Sequence, residues 1–266
     1  MIEPPEELKR ICQKPDYKTK GNWYARNIVR DAALPATRLL LRTRVTADQV
    51  TLISLAVAMA GMAVLTWFGD GWFLAGVFLL QLWYYLDHVD GQIARYRKTV
   101  SLTGRFLDFM THHIVHTVFL FALGFYAYRV SDGVLWIVLG FSVSILLLVF
   151  NLIHDVKYKT FFEQIEAQGG ATIRGSAGQK SEAPAADFRR KLFSFLHKLC
   201  EIHVMMNGLT FCAFLQPAVG GIDLRSVFFL FYSVVVPVVS CVKMAYILKH
   251  RTIDGEYRAM MAEPRP

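Results

Sequence analysis

Six long apolar runs leave this chain few folds to choose from. They fall at residues 50–68, 72–96, 104–128, 133–155, 196–219 and 226–248, each near the ~20 residues an α-helix needs to cross a hydrocarbon core. Backbone in lipid must satisfy its own polar groups, so runs of this length predict helices rather than loops or open sheet edges. Hydrophobic residues make up 54% of the 266, and the mean hydropathy is +0.35, too apolar for an ordinary soluble domain. The expected fold is all-α, with six transmembrane helices preceded by a cytoplasmic, interfacial amphipathic helix. One membrane domain is expected, with 1–44 as the N-terminal segment, 45–250 as the bundle and 251–266 as a tail. No internal repeat divides it, and no stretch ahead of the first run near Val50 reads as a signal peptide.

The charge of +8 acquires meaning once it is placed against these runs. Short turns at Gly69-Asp70-Gly71, Ser131-Asp132-Gly133 and residues 220–223 lie on one side. The other side holds the basic N-terminus, then Arg97, Lys98 and Arg105, then Lys157, Lys159, Arg174, Lys180, Arg189, Arg190 and Lys191, and finally Lys249, Arg251 and Arg258. The positive-inside rule therefore puts both termini in the cytoplasm, with residues 87–112 beside them. No nucleic-acid partner is needed to explain the charge. Cys12, Cys200, Cys212 and Cys241 form no C-x-x-C pair, so neither a zinc site nor a disulfide framework is expected. Residues 23–41 mix Arg26, Arg30 and Arg38 with Ile28, Leu34, Leu39 and Leu40. Two readings stand for that segment, a helix on anionic headgroups or one packed on the protein's own inner face, and Pro35 should kink or divide it. Residues 166–186 read as a flexible cytoplasmic loop.

Residues 87–112, DHVDGQIARYRKTVSLTGRFLDFMTH, set carboxylates where they are costly. At helical spacing Asp87, Asp90 and Ala94 share one face, and Gly104, Asp108 and His112 share a face of the next helix. Counted from Trp72 and Tyr128, Asp87 and His112 lie at depths of about 22 and 24 Å at ~1.5 Å per residue, so the two faces should be level. An acidic side chain deep in a span costs ~2.5–3.5 kcal/mol, and three facing one another repel. Arg95 and Arg105 could each neutralise one in an Asp–Arg network. A divalent cation accounts better for the shared geometry of all three, because hard oxygen ligands suit Mg²⁺ or Mn²⁺.

This stretch resembles the CDP-alcohol phosphatidyltransferase family, whose pattern is D-x2-D-G-x2-A-R-x8-G-x3-D-x3-D. Asp87, Asp90, Gly91, Ala94, Arg95, Gly104 and Asp108 stand at the required spacings, and His112 replaces the fourth aspartate. The resemblance implies a transferase of phospholipid biosynthesis, and a homodimer. In it, two divalent ions (Mg²⁺ or Mn²⁺) hold the diphosphate of a CDP-linked alcohol while an acceptor alcohol attacks and CMP leaves. Asp87, Asp90, Asp108 and His112 become candidate metal ligands. His112 is also the candidate base, and Gly91, Ala94, Arg95 and Gly104 the candidate nucleotide contacts. Thr46 to Thr51 (TADQVT) partly resembles the family's T-P-N-x-[VI]-T segment, which adds Thr51 to those contacts, although Thr46 or Asp48 also reads as a helix cap. Small residues at 91, 94 and 104 serve helix packing equally well.

The histidine alters the charge balance. Four aspartates neutralise two divalent ions, whereas three with a neutral imidazole leave about one positive charge, favouring an anionic diphosphate but weakening retention of the second ion. His116, one turn beyond His112, is a candidate support for it. His113 points elsewhere and reads as packing or structural, and His88 lies between the first two aspartates but off their face. Glu201, His203, Asn207 and Lys243 are candidate acceptor-site residues, Lys243 reading also as a snorkelling lysine, and Arg189 and Arg190 read as receiving an acidic acceptor or as meeting lipid headgroups. Both donor directions stay open, CDP-diacylglycerol with a polar alcohol or a CDP-amino alcohol with a lipid alcohol. The competing classes are an altered or inactive relative that binds nucleotide or lipid, and a cation transporter.

Overall fold

The computed structural model describes residues 3–14, 17–19, 21–167 and 195–261, and every regular element among them is helical. The expected loop at 166–186, with Arg174, Lys180, Arg189, Arg190 and Lys191, lies almost wholly outside the described residues. Pro5–Cys12 forms α1; a π-helical turn at Ala25–Val29 runs into α2 (Arg30–Ala32) and α3 (Leu34–Leu40). The long helices are α4 (Ala47–Trp67), α5 (Asp70–Tyr96), α6 (Leu102–Ser131) and α7 (Val134–Ala167). After one helical turn at 195–199 come α8 (Ile202–Leu215), α9 (Leu224–His250) and α10 (Thr252–Met261).

Four of these, α4, α6, α7 and α9, are long and apolar enough to cross a membrane. The protein is a membrane protein with several apolar helices. The fifth expected run is broken at Cys200, and its main piece, α8, has 14 residues, or ~21 Å at 1.5 Å per residue.

Local chemistry fixes where the helices begin. Thr46 and Gln49 form a reciprocal capping box for α4 at 3.2 and 2.9 Å, so Thr46 rather than Asp48 is the cap. Ser101 accepts from the Gly104 amide to start α6, and Asp223 accepts from the Arg225 and Ser226 amides to start α9. Close backbone approach then joins helix pairs. A Cβ on Gly76 would sit 2.7 Å from the Gly61 carbonyl, which sets the crossing of α4 and α5, and one on Gly124 would sit 2.6 Å from the Gly140 Cα, where α6 meets α7. The main core, with Phe73, Leu80, Trp83, Phe119 and Phe229, runs between these helices.

At the end of the bundle away from residues 87–112, the buried Arg225 reaches Asp223 at 2.6 Å and Asp70 at 3.0 Å, with its guanidinium over the rings of Phe73 and Tyr126. At the other end the N-terminal segment wraps the last turns of α5. Gln92, fully buried, accepts from Thr37 at 2.6 Å and donates to the Arg30 carbonyl at 2.7 Å. Tyr85 donates to the Ala32 carbonyl, and Arg97 donates to the Val45 and Thr43 carbonyls. Ala25, Val29, Ala33 and Thr37, spaced by four, form the buried stripe of this layer, while Trp23, Ile28 and Leu39 stay exposed. Packing on the protein's own inner face is therefore realised on one side, and Pro35, at the start of α3, divides the segment as expected.

Candidate active site

The last turns of α5 and the first turns of α6 face each other, as the level depths required. His112 Nε2 lies 2.9 Å from Asp87 Oδ1 and 3.4 Å from Asp108 Oδ1. These three residues offer ligand atoms all within 4.8 Å of one another. One imidazole edge thus serves two carboxylates from different helices, and the Trp83 ring, edge-on at 5.6 Å, backs it. A ring nitrogen carries at most one proton, so it donates to one carboxylate at a time. Two hard oxygens and one imidazole nitrogen form a donor set that fits a divalent cation such as Mg²⁺ or Mn²⁺. Neither Arg95 nor Arg105 makes an ion pair with Asp87, Asp90 or Asp108 among the described residues, so the Asp–Arg network is not what holds the carboxylates together.

Asp90 is placed differently. It is buried, and its Oδ2 accepts from the Thr51 hydroxyl at 2.5 Å, tying α4 to α5. It lies outside the three-residue cluster, but lines the same clefts. Thr51, expected as a nucleotide contact, therefore spends its hydroxyl on a carboxylate.

Arg95 folds back along its helix. Its Nε donates to the Cys12 carbonyl, and its two terminal nitrogens lie where a Cβ on Gly91 would come within 3.2 and 3.4 Å. Gly91 thus makes room for the guanidinium. Gly104 does the same between α6 and α4, since a Cβ there would meet Asp48 Oδ1 at 3.1 Å. A cleft of about 170 Å³ brings together Thr51, Asp90, Gly91, Ala94, Arg95 and Gly104, closed by Asp108 and flanked by Lys14 and Arg105. Every residue expected to touch nucleotide meets in it.

On the other side of Asp87 and His112 opens a larger cavity of about 520 Å³. Glu201, His203 and Lys243, the expected acceptor-site residues, line it, and Asn207 does not: its amide oxygen accepts from Gln81, linking α8 to α5. Lys243 does not snorkel outward; its Nζ lies 4.0 Å from the centroid of the Phe150 ring and 3.3 Å from that residue's carbonyl. His113, read as packing or structural, and His88 also reach the cavity, as does His116 with Asn151 at 3.0 Å. Sequence reasoning missed Asp155, which lies 2.7 Å from His113 and 3.3 Å from His154. The signal was present: Asn151, His154 and Asp155 recur at i, i+3 and i+4 inside an otherwise apolar run. His197, on the helical turn before α8, also lines the cavity, its ring 5.1 Å from that of Phe150.

Residues 44–173 match the family model for CDP-alcohol phosphatidyltransferase. This segment belongs to the CDP-alcohol phosphatidyltransferase family. A curated relative, phosphatidylinositol phosphate synthase of Streptomyces avermitilis, is 36% identical over 108 residues, which is 41% of this chain and 43% of that protein. The chain thus spans less than half the length of the curated relative it matches. The CDP-alcohol phosphatidyltransferase segment takes in α4 to α7 and with them the whole acidic cluster and the lining of the smaller cleft apart from Lys14. Glu201, His203 and Lys243, on the far wall of the larger cavity, fall beyond it.

Proposed function

We propose that this chain is a membrane-bound transferase of phospholipid biosynthesis that moves a substituted phosphate from a CDP-linked alcohol to an acceptor alcohol and releases CMP. The observation that carries the reading is the junction of α5 and α6, where Asp87, Asp108 and His112 converge between a small cleft and a larger cavity. Two substrates that meet at one phosphorus need such a pair of chambers. The name of the Streptomyces relative favours the phosphatidyl direction, in which CDP-diacylglycerol is the donor and a small polar alcohol the acceptor.

Asp87, Asp108 and His112, with Asp90 beside them, are the proposed ligands of one or two divalent cations, Mg²⁺ or Mn²⁺. When bound, such ions neutralise the diphosphate and stabilise the leaving oxygen. The protein's own residues do the rest. Gly91 and Gly104 keep side chains out of the cleft, Ala94 adds little bulk, and the terminal nitrogens of Arg95 face the diphosphate. The acceptor hydroxyl attacks the β-phosphorus, its oxygen forms the new P–O bond, and the anhydride bond to CMP breaks. Nε2 of His112 takes the hydroxyl proton, and Asp87 stabilises the imidazolium so formed. Ligand and base are alternative uses of one lone pair on Nε2, so they exclude each other at any instant. Thr51 positions Asp90.

The fold reading extends in the same way. We take α5 and the broken stretch 196–219 as the remaining two of six spans, residues 23–41 as an interfacial layer, and both termini and the site as cytoplasmic, on the strength of the basic residues on that side. A homodimer is carried over from the family.

The test is CMP release by purified protein given CDP-diacylglycerol, CDP-choline or CDP-ethanolamine, a panel of alcohols, and Mg²⁺ or Mn²⁺. Release that needs both an alcohol and a divalent ion supports the reading. Silence across the panel, with no nucleotide-dependent ion binding, moves the chain to the inactive-relative or transporter class.

A further inference from the structure

Seven of the eight histidines in the sequence line the larger cavity, and the way they are paired bears on what the cavity can hold. His113 and His154 share Asp155, and His203 lies 3.3 Å from Glu201. Apart from Asp87 and Asp108, assigned above to the cation, two carboxylates, Asp155 and Glu201, face the space, against a single lysine or arginine, Lys243, among the described lining residues. Lys243 is already engaged with the Phe150 ring and carbonyl. The imidazoles of His112, His113, His154 and His203 are therefore held by carboxylates rather than gathered as an anion cradle. A phosphate dianion entering here meets like charge and lacks the arginine fork that phosphate recognition uses.

Hydroxyl groups find the opposite. Carboxylate oxygens accept from them and imidazole N–H groups donate to them. His116 shows the second half of this directly. The Asn151 amide nitrogen, 3.0 Å away, can only donate, so His116 Nδ1 accepts and the proton sits on Nε2. That Nε2 is buried and has no hydrogen-bond partner among the described residues, leaving one donor for a ligand oxygen.

We propose that the acceptor is an alcohol that carries no phosphate of its own, read in this cavity by the imidazole–carboxylate pairs of α6, α7 and α8. The proposal rests on the transferase reading above and adds the acceptor's chemical class to it. It assigns Asp155, outside the acidic cluster, as a specificity-determining residue.

Matched acceptor pairs that differ only in a phosphate, and in which both members keep a free hydroxyl, test it: inositol and inositol 1-phosphate, and glycerol and glycerol 3-phosphate. Full-length protein in nanodiscs is assayed for CMP release from CDP-diacylglycerol, and binding of each acceptor is measured separately by calorimetry. The expected result is one phosphate-free member preferred at least tenfold over its partner in both readouts. Preference for a phosphorylated member, or no binding by any phosphate-free one, overturns the proposal. Selective binding of the phosphate-free member without CMP release keeps the cavity assignment and sinks the transferase reading instead. Asp155→Lys should reduce the discrimination about tenfold, and Asp155→Asn provides a milder variant if the lysine does not fold. A ratio unchanged in both removes Asp155 from the recognition surface.

Discussion

At the scale of the residue, the 2.9 Å approach of His112 to Asp87 and the 2.5 Å hydrogen bond from Thr51 to Asp90 divide the acidic set into two parts. The first part carries the proton chemistry. His112→Ala should lower turnover by about 10²–10⁴-fold, the usual worth of a general base, measured as kcat for CMP release across a range of Mn²⁺ concentrations. Full turnover with normal ion dependence would remove His112 from the mechanism. The second part concerns geometry. Thr51→Val leaves a buried carboxylate without its donor and should weaken Mn²⁺ affinity by roughly 10–100-fold, as loss of an orienting partner does, while Thr51→Ser should restore it; spin resonance of bound Mn²⁺ reads both. Asp87, Asp108 and His112 were legible in the sequence because spacing puts them on facing helical faces. The hydroxyl's true partner was not, because Asp90 lies 39 residues away in the chain and only the crossing of α4 and α5 brings it near.

At the scale of the element, that crossing and its counterpart between α6 and α7 are set by glycine pairs. A methyl group on Gly124 would come 2.6 Å from the Gly140 Cα, and backbone cannot swing aside as a side-chain tip can. Gly124→Ala should therefore destabilise the bundle by about 1–3 kcal/mol, the range for overpacking, seen as a lower unfolding temperature in detergent; an unchanged midpoint would show that α6 and α7 separate freely. The start of α9 adds a pH dependence. Burial pushes the Asp223 carboxyl upward, but hydrogen bonds from Ser226 and Arg225 outweigh it and hold its pKa below the ordinary value. A depressed carboxylate contributes stability that is fully present above its unfolded pKa of ~3.9 and is lost as pH falls through the folded value. Asp223→Asn should flatten the unfolding temperature below about pH 4. An acid limb as steep as in the parent would contradict this. Long apolar runs made α4, α6, α7 and α9 readable from composition. The break at Cys200 was not, because a turn inside an apolar stretch leaves hydropathy nearly unchanged.

At the scale of the whole molecule, two chambers share one wall built from α5 and α6, and the N-terminal layer grips the end of α5 through Gln92, Arg95 and Arg97. The smaller chamber was foreseeable residue by residue, since a local pattern with fixed gaps specifies it. The larger one was foreseeable only in part, at Glu201, His203 and Lys243, because its walls come from α5, α6, α7, α8 and α9, far apart in sequence, and only packing brings Asp155 to them. The account stands on carboxylates from neighbouring helices holding a divalent cation under a cytidine diphosphate. Anomalous diffraction from crystals grown with Mn²⁺ and a cytidine nucleotide measures this directly. The predicted result is a manganese peak within bonding distance of Asp87 and Asp108, with the nucleotide's phosphates beside it. Nucleotide density with no manganese between α5 and α6 would contradict the account.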